Sequence, residues 1–213
     1  MYDLTDAQLE LKARAHDLTE SKLHERAAKH DETEEYPWDT IKDLVDQGFM
    51  GMTIPKEYGG PGLGFLETAL VIEEVSRACG STGRIVTEGN MGAIAAIMAF
   101  GSEEQKKISA ELVLAGDKPA LCMTEPDAGS AATAMTTKAV KKGDVYVING
   151  LKHWITGGAD VAKLHLVLAR VEEDGEDQGI GGFIVVHEGT TKGMRATKRH
   201  RGMGLRCLPE MEV

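Results

Sequence analysis

The feature of this 213-residue sequence that most constrains its fold is a change of pattern near Asp117. Before that point, apolar residues recur at helical spacing, and Thr5-x-x-Gln8 and Ser102-x-x-Gln105 have the form of capping boxes that start helices. After it, apolar and polar residues alternate as they do in half-buried strands. The pattern predicts an α+β chain. An all-α helical domain would cover residues 1–117, and an antiparallel β-barrel or β-sandwich domain would cover residues 118–213.

Local signals refine both halves. Residues 82–100 are apolar almost all round, which predicts one buried helix. In the second half, residues 144–149, 164–171 and 182–186 alternate as strands do, and the acidic residues 172–178 are expected to form an exposed loop.

Composition excludes several classes of function. The net charge of −10 disfavours nonspecific binding to nucleic acid, which depends on neutralising phosphates with Lys and Arg. No run of eighteen apolar residues exists to span a membrane. The three cysteines are far apart in sequence, which argues against a disulfide framework or zinc site and predicts a reducing, cytoplasmic location. The seven histidines have no metal-ligand spacing either, so no metal site is predicted.

Two segments of the second half predict a ligand site. Residues 121–130 (LCMTEPDAGS) form a strand that breaks at Pro126 and Gly129 into a loop rich in backbone N–H groups. Residues 152–158 (KHWITGG) place an indole two positions before a threonine and then two glycines. Such segments suit a flat, partly apolar ligand that needs an aromatic face, polar groups at its edge and close approach to backbone. The glycine cluster at residues 59–64 follows no predicted strand and does not fit a dinucleotide-binding loop.

These two segments resemble the flavin-binding segments of the acyl-CoA dehydrogenase superfamily. The resemblance implies FAD as cofactor. It implies that Leu121, Met123 and Thr124 line the pyrimidine edge of the flavin, that Trp154 packs against its ring, and that Thr156 bonds near its reactive nitrogen. Ile155 and Ser130 complete the implied cofactor site, with Ser130 also bordering the acyl-CoA substrate.

The resemblance also implies a reaction. In dehydrogenating members, a carboxylate removes the α-proton of a short acyl-CoA thioester while the β-hydride passes to flavin. That carboxylate comes from a carboxy-terminal helical bundle, which this chain does not include. The chain is therefore expected to be part of a longer polypeptide and inactive alone. The family further implies a homo-oligomer, dimer or tetramer, and an electron-transfer flavoprotein as partner of a dehydrogenase.

A narrower resemblance concerns Arg84. One interpretation is that this arginine, at the start of the apolar helix, extends to solvent. The other is that its guanidinium binds an acid group on the substrate, because a buried charge without a partner is costly. Ala131 and Ala132 stand where most family members continue with Asp, and residues 36–39, 48–52 and 116–120 agree with a branch that releases sulfite instead of oxidising the acyl chain. In that branch, Arg84 matches the arginine that binds the sulfinate group.

Two further alternatives stay open at this stage. The basic run from Lys192 to Arg206 is either a solvated strand face or an anchor for a CoA phosphate or flavin pyrophosphate. The whole chain could also be a non-catalytic module that docks an acyl-CoA or a partner helix, with Trp154 serving only as core packing.

Overall fold

Both predicted capping boxes start helices in the computed structural model, which describes residues 3–187 and 193–213. At the first, the Thr5 hydroxyl accepts a hydrogen bond from the backbone N–H of Gln8 at 3.3 Å, and the Gln8 side chain accepts from the Thr5 N–H at 3.0 Å. Ser102 and Gln105 repeat the arrangement at 3.3 and 2.8 Å. The sequence signal is thus confirmed at both positions.

The helical unit comprises the chain up to Lys118 together with Gly202–Leu208. A π-helical turn at Thr19–Leu23 joins its first two helices. Leu44, Phe49, Val71 and Ile85 lie at the centre of its core, fully buried. Its helices are α1 (Asp6–Leu18), α2 (His24–Thr33), α3 (Trp38–Asp46), α4 (Phe65–Ala78), α5 (Gly80–Asn90), α6 (Ala93–Phe100) and α7 (Glu103–Leu114).

The prediction of one helix over residues 82–100 was wrong, because the helix divides into α5 and α6. Gly92 between them has a φ of +62°, a left-handed conformation that glycine adopts without steric cost. The side chain of Asn90 donates to the carbonyl of Phe49 at 2.8 Å and accepts from the N–H of Met52. These bonds tie the end of α5 to the preceding loop, which a periodicity argument cannot anticipate.

The β-rich unit comprises Pro119–Arg201 and Pro209–Val213. One sheet has the order β1-β5-β2-β3 with β6 also paired to β5, and a smaller sheet has the order β4-β8-β7. A short helix, α8 (Gly158–Val161), follows β4. The strands are β1 (Ala120–Cys122), β2 (Lys138–Lys142), β3 (Val145–Asn149), β4 (Ile155–Thr156), β5 (Leu164–Glu173), β6 (Glu176–Val186), β7 (Lys198–His200) and β8 (Glu210–Glu212).

A helical half followed by a β-rich half confirms the predicted fold class, with two differences in detail. Strand β5 pairs parallel with β1 and β2, whereas the other pairs are antiparallel, so the larger sheet is mixed rather than purely antiparallel. Parallel pairing requires long crossover connections, and strand alternation alone does not reveal them. Within the described residues the strands form two sheets, and no closed barrel is seen.

The acidic segment at residues 172–178 was expected to be a loop and is mostly strand. Strands β5 and β6 continue into it and are joined by a tight turn at Asp174 and Gly175, whose φ angles are +52° and +86°. Asp-Gly is the sequence that favours this kind of hairpin turn. The acidic side chains lie along the hairpin rather than in a loop.

Within residues 3–187 and 193–213, no helix combines the length and apolar character needed to cross a bilayer.

Candidate functional site

The two predicted ligand-binding segments lie side by side in the β-rich unit. The backbone N–H of His153 donates to the carbonyl of Thr124 at 2.8 Å, and the ammonium of Lys152 donates to the carbonyl of Met123 at 3.0 Å. Ile155 is buried in the same small core as Cys122. Segments nearly thirty residues apart in sequence therefore form one local structure.

Strand alternation decides which side chains of the first segment, residues 121–130, are exposed and can contact a ligand. Cys122 is fully buried, whereas its neighbour Leu121 is exposed, and Met123 and Thr124 are half-buried. Beyond Thr124 the chain turns tightly, with Glu125 and Ala128 bonded to each other through both backbone groups at 3.1 and 3.2 Å. Ser130 follows this turn and is exposed.

A buried ion pair fixes the turn. The Lys152 ammonium lies 2.8 Å from the Glu125 carboxylate, and the two side chains are only 4% and 3% exposed. The same carboxylate accepts the backbone N–H groups of Thr136 at 2.6 Å and Thr137 at 2.9 Å, and the Thr136 hydroxyl at 2.8 Å. Burial alone would raise the pKa of Glu125, but the hydrogen bonds from Lys152, Thr137 and Thr136 together hold that pKa well below its usual value.

Trp154 has an unusual backbone conformation and a half-exposed ring. Its φ is +57°, in the left-handed region that costs a residue with a side chain about 1–2 kcal/mol. Its side chain is not core packing, because the residue is 51% exposed. One part of the indole stacks on the imidazole of His200, with ring centroids 4.3 Å apart. Strain of this kind persists where surrounding contacts enforce it, often at ligand sites.

Ile155 and Thr156 form strand β4 and pair with Met211 and Glu210 of β8. The Thr156 hydroxyl donates to the Glu210 carboxylate at 2.9 Å, so toward a ligand its oxygen acts as an acceptor. Gly158 has a φ of +36°, and a Cβ there would lie 2.5 Å from the Cβ of Met211. Only glycine therefore allows β8 to approach this closely.

Arg84 lies in the helical unit, on α5. Its side chain is 48% exposed, and Nη2 lies 2.8 Å from Oε1 of Glu88, one helical turn later. The second carboxylate oxygen of Glu88 lies 2.5 Å from the ammonium of Lys118, whose side chain is fully buried. The guanidinium reaches solvent, as the first interpretation expected, and its acidic partner in the structure is Glu88 of the same helix. Binding of a substrate acid group by Arg84 stays a prediction.

The basic residues between Lys192 and Arg206 have different partners in the structure. Arg206 pairs with Glu34 at 2.9 Å and with Asp31 at 3.4 Å, all within the helical unit. Lys198 lies 3.9 Å from the Glu212 carboxylate in the β-rich unit. Lys192 lies outside the described residues. Arg206 lies in a turn and is paired with acidic side chains, so it is not part of a solvated strand face, and an anchor role for the run stays a prediction.

Sequence reasoning gave no role to four residues that organise these sites. Lys152 and Glu125 each lie within one of the two predicted ligand-binding segments. Their opposite charges could have predicted the ion pair that joins these segments. Glu88 could have been identified from its i, i+4 spacing to Arg84. Lys118 could not, because nothing local predicts that a lysine at a helix–strand junction is fully buried.

Comparison with known proteins accounts for this architecture. The model of the acyl-CoA dehydrogenase amino-terminal domain matches residues 5–117, and that of the acyl-CoA dehydrogenase middle domain matches residues 120–213. The chain belongs to the acyl-CoA dehydrogenase family. The predicted family resemblance is therefore confirmed.

This acyl-CoA dehydrogenase family member is similar to a desulfinase in sequence and to two dehydrogenases of solved structure. It is 56% identical to the 3-sulfinopropanoyl-CoA desulfinase of Variovorax paradoxus over its whole length, and spans 54% of that protein. Among solved structures, butyryl-CoA dehydrogenase from Megasphaera elsdenii is 29% identical with a TM-score of 0.89, covering 100% of this chain and 56% of that one. Glutaryl-CoA dehydrogenase from Mycobacterium smegmatis, solved in complex with FADH2, is 27% identical with a TM-score of 0.87, covering 98% and 52%.

Proposed function

We propose that this chain is part of a flavoenzyme that releases sulfite from 3-sulfinopropanoyl-CoA. The observation that carries the proposal is Arg84, a half-exposed guanidinium fixed on a helix by Glu88, in a chain 56% identical to a desulfinase. A guanidinium has five N–H donors in a rigid fork. Its one ion pair among the described residues uses Nη2, so further donors can bind a sulfinate through two parallel bonds.

The reaction balances without an oxidant. The bond between the β-carbon and sulfur breaks, a hydrogen from water is added to that carbon, and hydroxide from the same water is added to sulfur. The products are propanoyl-CoA and hydrogen sulfite, and the single negative charge is conserved. In this scheme Arg84 orients the sulfinate and stabilises the negative charge that the sulfur group carries away.

The β-rich unit provides a surface that fits FAD. An indole that is half exposed and held by a strained backbone offers a flat ring an aromatic face. Leu121 adds exposed apolar surface, and the Thr156 oxygen adds an acceptor. When bound, FAD supplies the hydride acceptor of the dehydrogenating family members. The residues that we propose hold it are Leu121, Met123, Thr124, Ser130, Trp154, Ile155 and Thr156, with Ser130 also contacting the acyl-CoA.

The second candidate function is α,β-dehydrogenation of a short acyl-CoA. The fold match to butyryl-CoA dehydrogenase at a TM-score of 0.89 favours it. This reaction requires a carboxylate base, which we propose lies outside these 213 residues, and an electron acceptor such as an electron-transfer flavoprotein. The third alternative, a non-catalytic module that binds an acyl-CoA or a partner helix, requires neither.

Other properties follow from the same proposal. We propose that residues 1–117 and 118–213 are separate domains, that activity requires a further helical domain, and that the complete protein is a cytoplasmic homo-oligomer, a dimer or tetramer.

The test is a two-substrate assay on the complete polypeptide that carries this chain, purified gently and inspected for flavin absorbance. The proposal predicts a flavin spectrum and sulfite release from 3-sulfinopropanoyl-CoA, with little acceptor reduction when butanoyl-CoA is supplied with an electron acceptor. Acceptor reduction without sulfite would establish the dehydrogenase instead. Acyl-CoA binding with no flavin and no turnover would establish the binding module.

A further inference from the structure

A cluster of three potential metal ligands lies beside Trp154 in the β-rich unit. His153, His200 and Glu212 each offer one ligand atom, and these atoms all lie within 4.8 Å of one another. They are far apart in sequence: His153 precedes β4, His200 ends β7 and Glu212 ends β8. His200 lies directly opposite Glu210 in the antiparallel pair of β7 and β8. Glu212 is two residues after Glu210, so its side chain is on the same face of the sheet as that of His200.

The distances match a tetrahedral metal site. Nε2 of His153 lies 3.4 Å from Oε1 of Glu212, and Nε2 of His200 lies 3.3 Å from the same oxygen. Zinc binds imidazole nitrogen and carboxylate oxygen at about 2.0–2.2 Å, so two ligand atoms of a tetrahedral site lie about 3.4 Å apart. These two separations therefore need little adjustment to hold one ion.

His200 gives an independent indication of a ligand. Its side chain is only 10% exposed. Its Nε2 is buried without a hydrogen-bond partner among the described residues, since the contact to Glu212 lacks hydrogen-bond geometry. Leaving such an atom unpaired costs about 1–3 kcal/mol. A metal ion accepting the Nε2 lone pair would remove that cost.

We propose that His153, His200 and Glu212 bind a divalent transition-metal ion, zinc in particular. Two imidazoles and one carboxylate suit zinc rather than magnesium or calcium, which prefer oxygen ligands throughout. Three protein ligands leave a fourth position for water. The ion would connect β7 and β8 to the segment before β4, and it would fix the imidazole on which Trp154 stacks.

The surroundings of Glu212 are compatible with this role. The Thr197 hydroxyl lies 3.4 Å from the other carboxylate oxygen and orients it as an outer partner of a metal ligand does. Lys198 is the competing cation, 3.9 Å from Oε1. It is 63% exposed, so it can move into water at little cost when an ion binds.

The experiment is a zinc titration of the complete polypeptide that carries this chain, after dialysis against a chelator. The Trp154 ring lies 4.3 Å from the His200 ring, so the fluorescence change that a Trp154→Phe variant loses is the local report from this site. We expect one zinc ion per chain by calorimetry, a saturable change in Trp154 fluorescence, and a visible absorption band with cobalt. His200→Ala and Glu212→Gln should each weaken binding by at least about 100-fold, since even outer partners of metal ligands are worth about 10- to 100-fold.

His24→Ala is the matched control, because His24 also lies 3.5 Å from a glutamate, Glu20, but has no second acidic partner within residues 3–187 and 193–213. It should leave zinc affinity unchanged. Circular dichroism verifies that each variant is folded, and His153→Ala, which removes a less buried ligand, replaces His200→Ala if that variant is not. Absence of saturable binding, or equal affinity in the folded ligand variants and the control, would overturn the proposal. Zinc binding is measured without substrate, so its failure would not bear on sulfite release.

Discussion

Two buried lysines, one in each unit, form ion pairs of different character. Lys152 in the β-rich unit pairs with a carboxylate that accepts three further hydrogen bonds from Thr136 and Thr137, and both charged side chains are almost fully buried. Lys118 in the helical unit pairs with Glu88, whose other oxygen binds a half-exposed arginine. In the first cluster both charged groups are buried and bonded to other groups of the chain, whereas the second ends in a guanidinium that is 48% exposed.

The difference indicates separate roles for the two clusters. A closed pair with every partner in place holds backbone segments in position but has nothing left to offer a ligand. A guanidinium that is anchored at one nitrogen and half exposed can offer its remaining N–H donors to an anion. We propose that the Glu125–Lys152 pair holds its two segments of the β-rich unit in place, and that Arg84 of the helical unit binds substrate.

The largest effect is expected from Lys152→Met. This change leaves the Glu125 carboxylate buried without its cation, which typically costs about 3–5 kcal/mol of folding free energy. Urea denaturation of the chain measures the loss. Lys138→Met is the control, since Lys138 pairs with Glu172 at a similar distance, 2.9 Å, but is 57% exposed, and it should cost less than about 1 kcal/mol. Equal losses in the two variants would mean that the closed cluster has no special structural role.

Arg84→Lys should lower sulfite release by about 100-fold with little change in stability, because lysine keeps the charge but loses the forked donors, and a hydrogen bond to a charged group is worth about 1.5–3 kcal/mol. The rate is measured with 3-sulfinopropanoyl-CoA on the complete polypeptide. Arg77→Lys is matched in exposure, at 47%, and in its pairing to Glu74 at 2.9 Å, and it should keep full activity. Unchanged turnover in Arg84→Lys would remove this arginine from the mechanism.

Trp154→Ala should weaken FAD retention by about 10-fold, because an aromatic contact is worth about 0.5–1.5 kcal/mol beyond the area it buries. Flavin content per chain after gel filtration measures this. Trp38→Ala removes an indole that is 60% exposed in the helical unit and should leave flavin content unchanged. If both variants retained flavin equally, the indole of Trp154 would not be part of the cofactor site.

The smallest effect concerns pH. The folded-state pKa of Glu125 lies below its ordinary value of 4.5, so the unfolded chain binds the proton first as pH falls. The stability that this carboxylate contributes is fully present above pH 4.5 and declines below it, toward the folded pKa. Denaturation at a series of pH values should therefore show a shallower acid decline for Glu125→Gln than for the unchanged chain. Parallel declines would contradict the low pKa.

Local signals in the sequence predicted the features that depend on residues close together along the chain, such as where helices begin. The capping boxes at Thr5 and Ser102 start helices, and the family was recognisable from residues 121–130 and 152–158. Long-range pairing was beyond those signals. Nothing near His200 indicates that β7 and β8 bring it to His153 and Glu212, and alternation in β5 does not distinguish a parallel from an antiparallel neighbour.

The most direct test of the central claim is the product balance of the complete polypeptide acting on 3-sulfinopropanoyl-CoA with no electron acceptor present. Desulfination at a site that includes Arg84 predicts sulfite and propanoyl-CoA in equal amounts over many turnovers. An unsaturated acyl-CoA product, or turnover that stops until an acceptor is added, would contradict it.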